Sequence, residues 1–171
     1  MSLEFVRAHR TDLPRIVEIY NQIIPSRLAT ADLEPVTVAD RTAWFAAFGE
    51  HHPLWVIKNP AGTIVGWVGL EPFYGRAAYC HTSEIAIYID QNARHQGIGG
   101  QALQYVINQL PQLGITAIVA YIFGHNQPSL KLFKRFDFQE WGFLPRVAEL
   151  DGVQRDLVIM GRRFDEFDKL R

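Results

Sequence analysis

The sequence has a single cysteine, Cys80, among 171 residues, which excludes an intramolecular disulfide and leaves a cysteine-based zinc centre without ligands. It has no excess of either charge: 17 Lys and Arg against 18 Asp and Glu, mixed along the chain, give a formal net charge of −1. The basic stripe that a phosphate backbone requires is therefore missing, and nucleic acid is not expected as a partner. No apolar run reaches the ~20 residues of a membrane-spanning helix, and the start lacks the basic-then-apolar pattern of a secretory leader. No membrane partner is expected, and a reducing, cytoplasmic setting is. Met1-Ser2-Leu3 reads partly as an expression scar and carries no weight. His51-His52 suggests a metal to the eye. Adjacent histidines point apart and no carboxylate cluster accompanies them, so a solvated loop is the reading and no metal is expected. Internal repeats, low-complexity tracts and linkers are missing as well.

What is present is an ordinary globular balance, 48% hydrophobic and 20% charged, in a length that suits one domain over residues 1–171. Glu4 to Ala8 alternates as a short strand, and Thr11 is placed to cap a helix with Leu13, Ile16, Val17, Tyr20 and Ile24 on its apolar face. The stretch from Pro25 to Pro35 has no period. Thr37 and Asp40 form a capping-box pattern that opens a second helix, carrying Trp44, Phe45 and Phe48. Leu54 to Ile57 and Thr63 to Leu70, about the turn Asn59-Pro60-Ala61-Gly62, read as a hairpin, and a third strand is predicted from Arg76 to Ile89. Its second half, Glu84 to Ile89, is nearly continuous apolar sequence after one carboxylate, as in a central strand covered on both faces. A helix over Ile98–Leu110, a strand over Ile115–Ile122, a short helix over Ser129–Phe136 and two strands joined at Asp151-Gly152 complete the order β-α-α-β-β-β-α-β-α-β-β.

Chemistry concentrates where the predicted central strand runs into Arg94-His95-Gln96-Gly97-Ile98-Gly99-Gly100 at the start of a helix. Three glycines let backbone N–H groups approach an anion, the helix N-terminus adds partial positive charge, and Arg94 and His95 add donors. The loop lacks the Gly-Lys-Ser/Thr ending of an NTP-binding loop and the G-x-G-x-x-G spacing of a dinucleotide fold. It is a different phosphate cradle. Glu84, at the mouth of the strand, is a candidate general base, since burial would bring its pKa toward the useful range; a strand-end carboxylate in an ion pair is the other reading. Asn126 and Ser129, with Pro128 between them, suit either a helix cap or a ligand contact.

This arrangement resembles the GNAT superfamily of N-acetyltransferases, whose acetyl-CoA loop reads Gln/Arg-x-x-Gly-x-Gly/Ala after a central strand, as Arg94 to Gly99 does. The likeness is nearest to the phosphinothricin and methionine-sulfoximine acetyltransferase branch. It is carried by Ile19-Tyr20-Asn21 with Ser26 to Thr30, Tyr79 to Glu84, Asn126 to Ser129, and Asp151-Gly152 with Arg155-Asp156. The resemblance implies an α+β GNAT fold: a mixed central sheet of about seven strands with helices on both faces and two strands splayed at the cofactor site. It implies acetyl-CoA as cofactor, held by Arg94, His95, Gln96, Gly97, Ile98, Gly99 and Gly100, by main-chain groups of Ile87 and Ile89, and beside Asn126 and Ser129. It implies Glu84 as base, a small amino-acid-like amine as acceptor, and a homodimer.

Arg76 could offer paired donors to an acceptor carboxylate, with Tyr74, Thr82, Phe73 and Trp67 about the acceptor pocket, although aromatics on a hairpin are more often core and an Arg in a strand turn is more often surface. The segments expected to line that pocket, Ile24–Glu34 and Phe73–His81, carry both signs, which disfavours a polyamine. The sequence departs from the family in two places. Phe133 stands where many relatives have a Tyr that protonates the leaving thiolate, and Asp137 stands at a turn that usually has Gly. Tyr121 or His125 could supply the proton, or the thiolate could leave without an acid; the last is preferred. A protein N-terminus or a polyamine as acceptor, or a sensor that binds acetyl-CoA without turnover, remain alternatives.

Overall fold

The computed structural model describes residues 2–164. The expectation of one domain over 1–171 includes Met1 and residues 165–171, which lie outside the described residues. Seven strands, β1 (Glu4–Arg7), β2 (Leu54–Lys58), β3 (Ile64–Pro72), β4 (Thr82–Ile89), β5 (Ala117–Phe123), β6 (Gln139–Leu150) and β7 (Val153–Arg163), form one sheet in the order β1-β2-β3-β4-β5-β7-β6. All neighbours are antiparallel except β4 and β5. Helices α1 (Leu13–Ile23) and α2 (Val38–Ala46) cover one face; α3 (Ile98–Leu113) and α4 (Gln127–Arg135) cover the other. This is the mixed α+β sheet of seven strands that the resemblance implies.

Period-2 alternation decides which side chain serves which face. Ile85, Ile87 and Ile89 of β4 join the core under α3 and α4. Ala86 and Tyr88 point the other way, against Trp67 of β3 and the apolar stripe of α1, Leu13, Ile16, Val17 and Tyr20. Glu84 shares that second direction. The Trp67 ring stacks on Tyr88 with centroids 4.7 Å apart, and its Nε1–H donates to Ile16 O at 3.1 Å. Trp67 is therefore core, as aromatics on a hairpin more often are.

Several boundaries differ from the sequence reading for local reasons. The third strand begins at Thr82 instead of Arg76, because Ala77–Tyr79 wind into a single 3-10 turn after Gly75 and Tyr74, both at positive φ. Thr11 is not a cap. A 3-10 turn over Arg10–Asp12 precedes α1, and Asp12 Oδ2 accepts from the His9 N–H at 2.8 Å. The Thr37–Asp40 capping box is present as read. Asp137, at the turn that usually has Gly, sits at φ 61°, a left-handed conformation that Asp tolerates better than most residues. The main departure is β4: its residues from Ala86 to Ile89 are only half-buried, so the strand is not sealed on both faces. A cleft opens beside it.

Candidate active site

β4 and β5 pair in parallel only over Thr82–Glu84 and Ala117–Val119, then part. Past Glu84 the edge of β4 facing β5 has lost its partner strand, and its N–H and C=O groups need other company. The gap is the core of a cleft of about 680 Å³, walled by Ile87 and Ile89 of β4, Tyr121 of β5, Ser129 and Phe133 of α4, and Val147 of β6. Arg94 and Gly99 close its lower end and Glu84 stands at its upper end.

The lower end is built as an anion site. Asp90 ends β4 and caps the 3-10 turn Gln91–Ala93 by accepting from the Asn92 N–H at 2.8 Å. Its other oxygen accepts from Arg15 (2.7 Å) and Gln22 (3.0 Å) of α1, which pins the turn to the opposite layer. The chain then passes through left-handed His95 (φ 61°) and Gly97 (φ 76°) into α3. The first intrahelical donor is Gln101, to Gly97 O at 3.2 Å, so the N–H groups of Ile98, Gly99 and Gly100 precede the helical ladder and are available to an anion. Ile98 offers only its backbone, its side chain being in the core. Gly99 has a second reason to lack a side chain: a Cβ there would come 3.3 Å from Leu132 of α4, tighter than ordinary contact. Arg94 leans back along the strand, its Nε donating to Ile89 O at 3.3 Å, so that carbonyl is engaged from within the chain. His95 and Gln96 are exposed beside the loop.

At the upper end burial, and then the charge of Glu71, push the Glu84 carboxyl up to about 7. Tyr121 faces Glu84 from β5; burial, a hydrogen bond with Tyr74 and the charges of Tyr74 and Glu84 push its phenol up to about 12, so it keeps its proton at neutral pH. Phe133 walls the cleft with no hydroxyl. His125 is turned away from this role: its Nε2 donates to Arg27 O at 2.8 Å, and its Nδ1 is buried without a partner.

Residues 28–31 form a strap across the cleft, as expected of part of the segment Ile24–Glu34. It is tied by Asn126 Nδ2 to Leu28 O (3.2 Å), by Tyr88 Oη to Ala29 O (3.1 Å) and by the Arg27–Asp151 ion pair (2.9 Å). Asn126 also caps α4, its Oδ1 accepting from the Ser129 N–H at 3.3 Å. The cap reading of Asn126 is thus met, and the same side chain ties the strap to the helix beside the cleft. The segment Phe73–His81 lies outside the cleft lining and reaches it through the Tyr74 bond to Tyr121. Tyr74 is exposed and stacks edge-on against Phe73, Arg76 is exposed at the start of the 3-10 turn, and Thr82 opens β4 as the partner of Ala117. The sequence reading missed Glu71 and Trp44, which bond to each other at 2.9 Å. The signal was present in period 2: Glu71 lies four residues after Trp67, on the same face, opposite Glu84 once the hairpin register is known. Among the described residues no cluster of three His, Cys, Asp or Glu could hold a metal, and no helix is long and apolar enough to cross a membrane.

A family model described as Acetyltransferase (GNAT) family matches residues 13–138. The chain is 48% identical over 155 residues to the Bacillus subtilis protein named "Putative phosphinothricin acetyltransferase YwnH", covering 91% of this chain and 95% of that one. It is 31% identical over 166 residues to an L-methionine sulfoximine/L-methionine sulfone acetyltransferase of Pseudomonas paraeruginosa, covering 96% of each. Its fold superimposes with a TM-score of 0.90 on the crystal structure of a GNAT superfamily phosphinothricin acetyltransferase from Sinorhizobium meliloti in complex with acetyl-CoA. That protein is 26% identical, with 97% of this chain and 90% of that one covered.

Proposed function

The chain belongs to the GNAT acetyltransferase family and is an acetyl-CoA-dependent N-acetyltransferase, and from that premise we propose that it acetylates the primary amine of a small amino-acid-like acceptor by direct attack in a ternary complex. The observation that carries this reading is a half-buried carboxylate, Glu84, with its pKa pushed up to about 7, at the end of the cleft where β4 and β5 part. The acceptor class follows the names of two relatives, acting on phosphinothricin and on methionine sulfoximine or sulfone.

The residues present suit acetyl-CoA. The donors that precede the α3 ladder, with Arg94 beside them, match a pyrophosphate, and the unpaired edge of β4 matches an amide-bearing arm running up the cleft. Acetyl-CoA, when bound, supplies an activated thioester. Glu84 takes the proton of the acceptor ammonium, directly or through water, so that the amine is neutral when it attacks. A β4 backbone N–H in the stretch Ile85 to Ile87, on the edge that faces away from β3, would donate to an oxyanion formed there. Phe133 offers no proton, so the thiolate of the bound thioester would leave as an anion. Cys80 is exposed and outside the cleft lining, which suits direct attack without an acyl-enzyme. Arg76, Tyr74 and Thr82 make up the acceptor side of this reading, in a single domain acting as a homodimer in the cytoplasm.

A thiol-release assay with acetyl-CoA tests the proposal. Turnover is expected with methionine sulfone, methionine sulfoximine or phosphinothricin, and little with spermidine or a peptide N-terminus. Glu84→Gln is expected to lower kcat by about 10²–10⁴ and to remove the rise in rate around pH 7. A variant with an unaltered rate and alkaline profile sinks the base role, and absence of release with every amine tried favours the sensor alternative.

A further inference from the structure

A second carboxylate, unused by the reaction as written, lies on β3. Glu71 stands directly opposite Glu84 in the antiparallel β3–β4 register, so both side chains leave the same face, with Cβ atoms about 5 Å apart. Like charges so placed repel, and a free Glu side chain would swing away from its neighbour. This one is held: the Trp44 indole Nε1–H donates to Glu71 Oε1 at 2.9 Å. Trp44 is in turn fixed edge-on against Phe48 and Trp67, with the Arg41 guanidinium 5.4 Å from the centre of its ring. The helix that covers this face thus supplies the donor that keeps two carboxylates together.

We propose that Glu71 is a positioning residue that acts on the reaction through Glu84, with Trp44 holding it in register; the inference rests on the reading of Glu84 as base. The fixed negative charge makes ionisation of Glu84 harder, so Glu84 keeps a proton to higher pH and is the stronger base toward an incoming ammonium. Burial is the larger cause of the raised Glu84 pKa and Glu71 the second. Other groups face this region: Tyr121 of β5 with Tyr74 beside it, Tyr88 on the same strand, Tyr20 of α1, and Asp32 with its ion-pair partner Arg41. Among the described residues, Glu71 is the charge that bears on the Glu84 carboxyl.

The test is a pH titration of the Glu84 side-chain carboxyl by carbon NMR in the full chain, its signal assigned by its loss in Glu84→Gln. It needs no acceptor. In Glu71→Gln, which keeps the acceptor oxygen for Trp44, the midpoint is expected to fall by about half to one pH unit. Glu71→Asp is expected to retain part of the raised value, and Trp44→Phe, which frees Glu71, is expected to lower it while thermal melting reports that the fold persists. The acid limb of kcat/KM for methionine sulfone should move to lower pH in step. An unchanged Glu84 midpoint in Glu71→Gln overturns the inference, whereas a shifted midpoint with Glu84→Gln fully active overturns the base reading and leaves the carboxylate coupling intact.

Discussion

Asn126 shows how one side chain can carry two structural duties beside a cleft. Its oxygen caps α4 through the Ser129 N–H, and its nitrogen holds the strap at Leu28 O. The two duties separate by substitution. Asn126→Asp retains the acceptor and loses the donor, so melting should change little while KM for acetyl-CoA rises as the strap loosens. Asn126→Ala loses both and should cost about 1 kcal/mol of stability in addition. Equal effects of the two variants on both readouts would show that cap and strap are not separate functions. The cap was legible in the sequence as one of two readings, since Asn-x-Pro-Ser before an apolar helix has the residues of a helix start. The bond to Leu28 was not, because it joins residues 98 positions apart in a segment without periodicity.

At the scale of elements, the parting of β4 and β5 controls the site, and it depends on how β3 holds β4 from the other side. Gly66 pairs with Ile89, and a Cβ there would come 2.8 Å from Ile89 Cδ1 and 2.9 Å from Tyr88 O. The second contact is backbone and cannot rotate away. Gly66→Ala should therefore push the end of β4 toward the cleft, destabilising the fold by about 1–3 kcal/mol. Because Ile89 walls the cleft, KM for acetyl-CoA should rise more than kcat falls; an unchanged KM in a folded variant would show that β4 gives way elsewhere. Strand and helix order was legible because the periods of α1, α3 and the hairpins are clean. The Arg76–His81 segment was misread because Arg-Ala-Ala-Tyr-Cys-His neither alternates nor ends in a helix breaker, and only its context winds it into a 3-10 turn. The half-burial of β4 was equally hidden: its apolar run looks the same whether it faces a core or a cleft.

At the scale of the molecule, the long β6–β7 hairpin is the least covered part of the sheet. β6 is an edge strand of 12 residues, and Trp141, Phe143, Leu144 and Val147 are large apolar side chains exposed along it. A long, apolar, uncovered edge is unfavourable in water and prone to association. The proposed homodimer would cover it. Val147 also walls the cleft, and Asp151 at the hairpin tip anchors Arg27 of the strap, so a subunit seated here would bear on the site. Light scattering is expected to give twice the chain mass for the wild type and the monomer mass for Phe143→Glu. Activity should fall with dissociation if the hairpin needs its neighbour to hold Val147 and the strap in place. A monomeric wild type with full activity would show that the edge serves some other purpose, and that the cleft is complete within one chain.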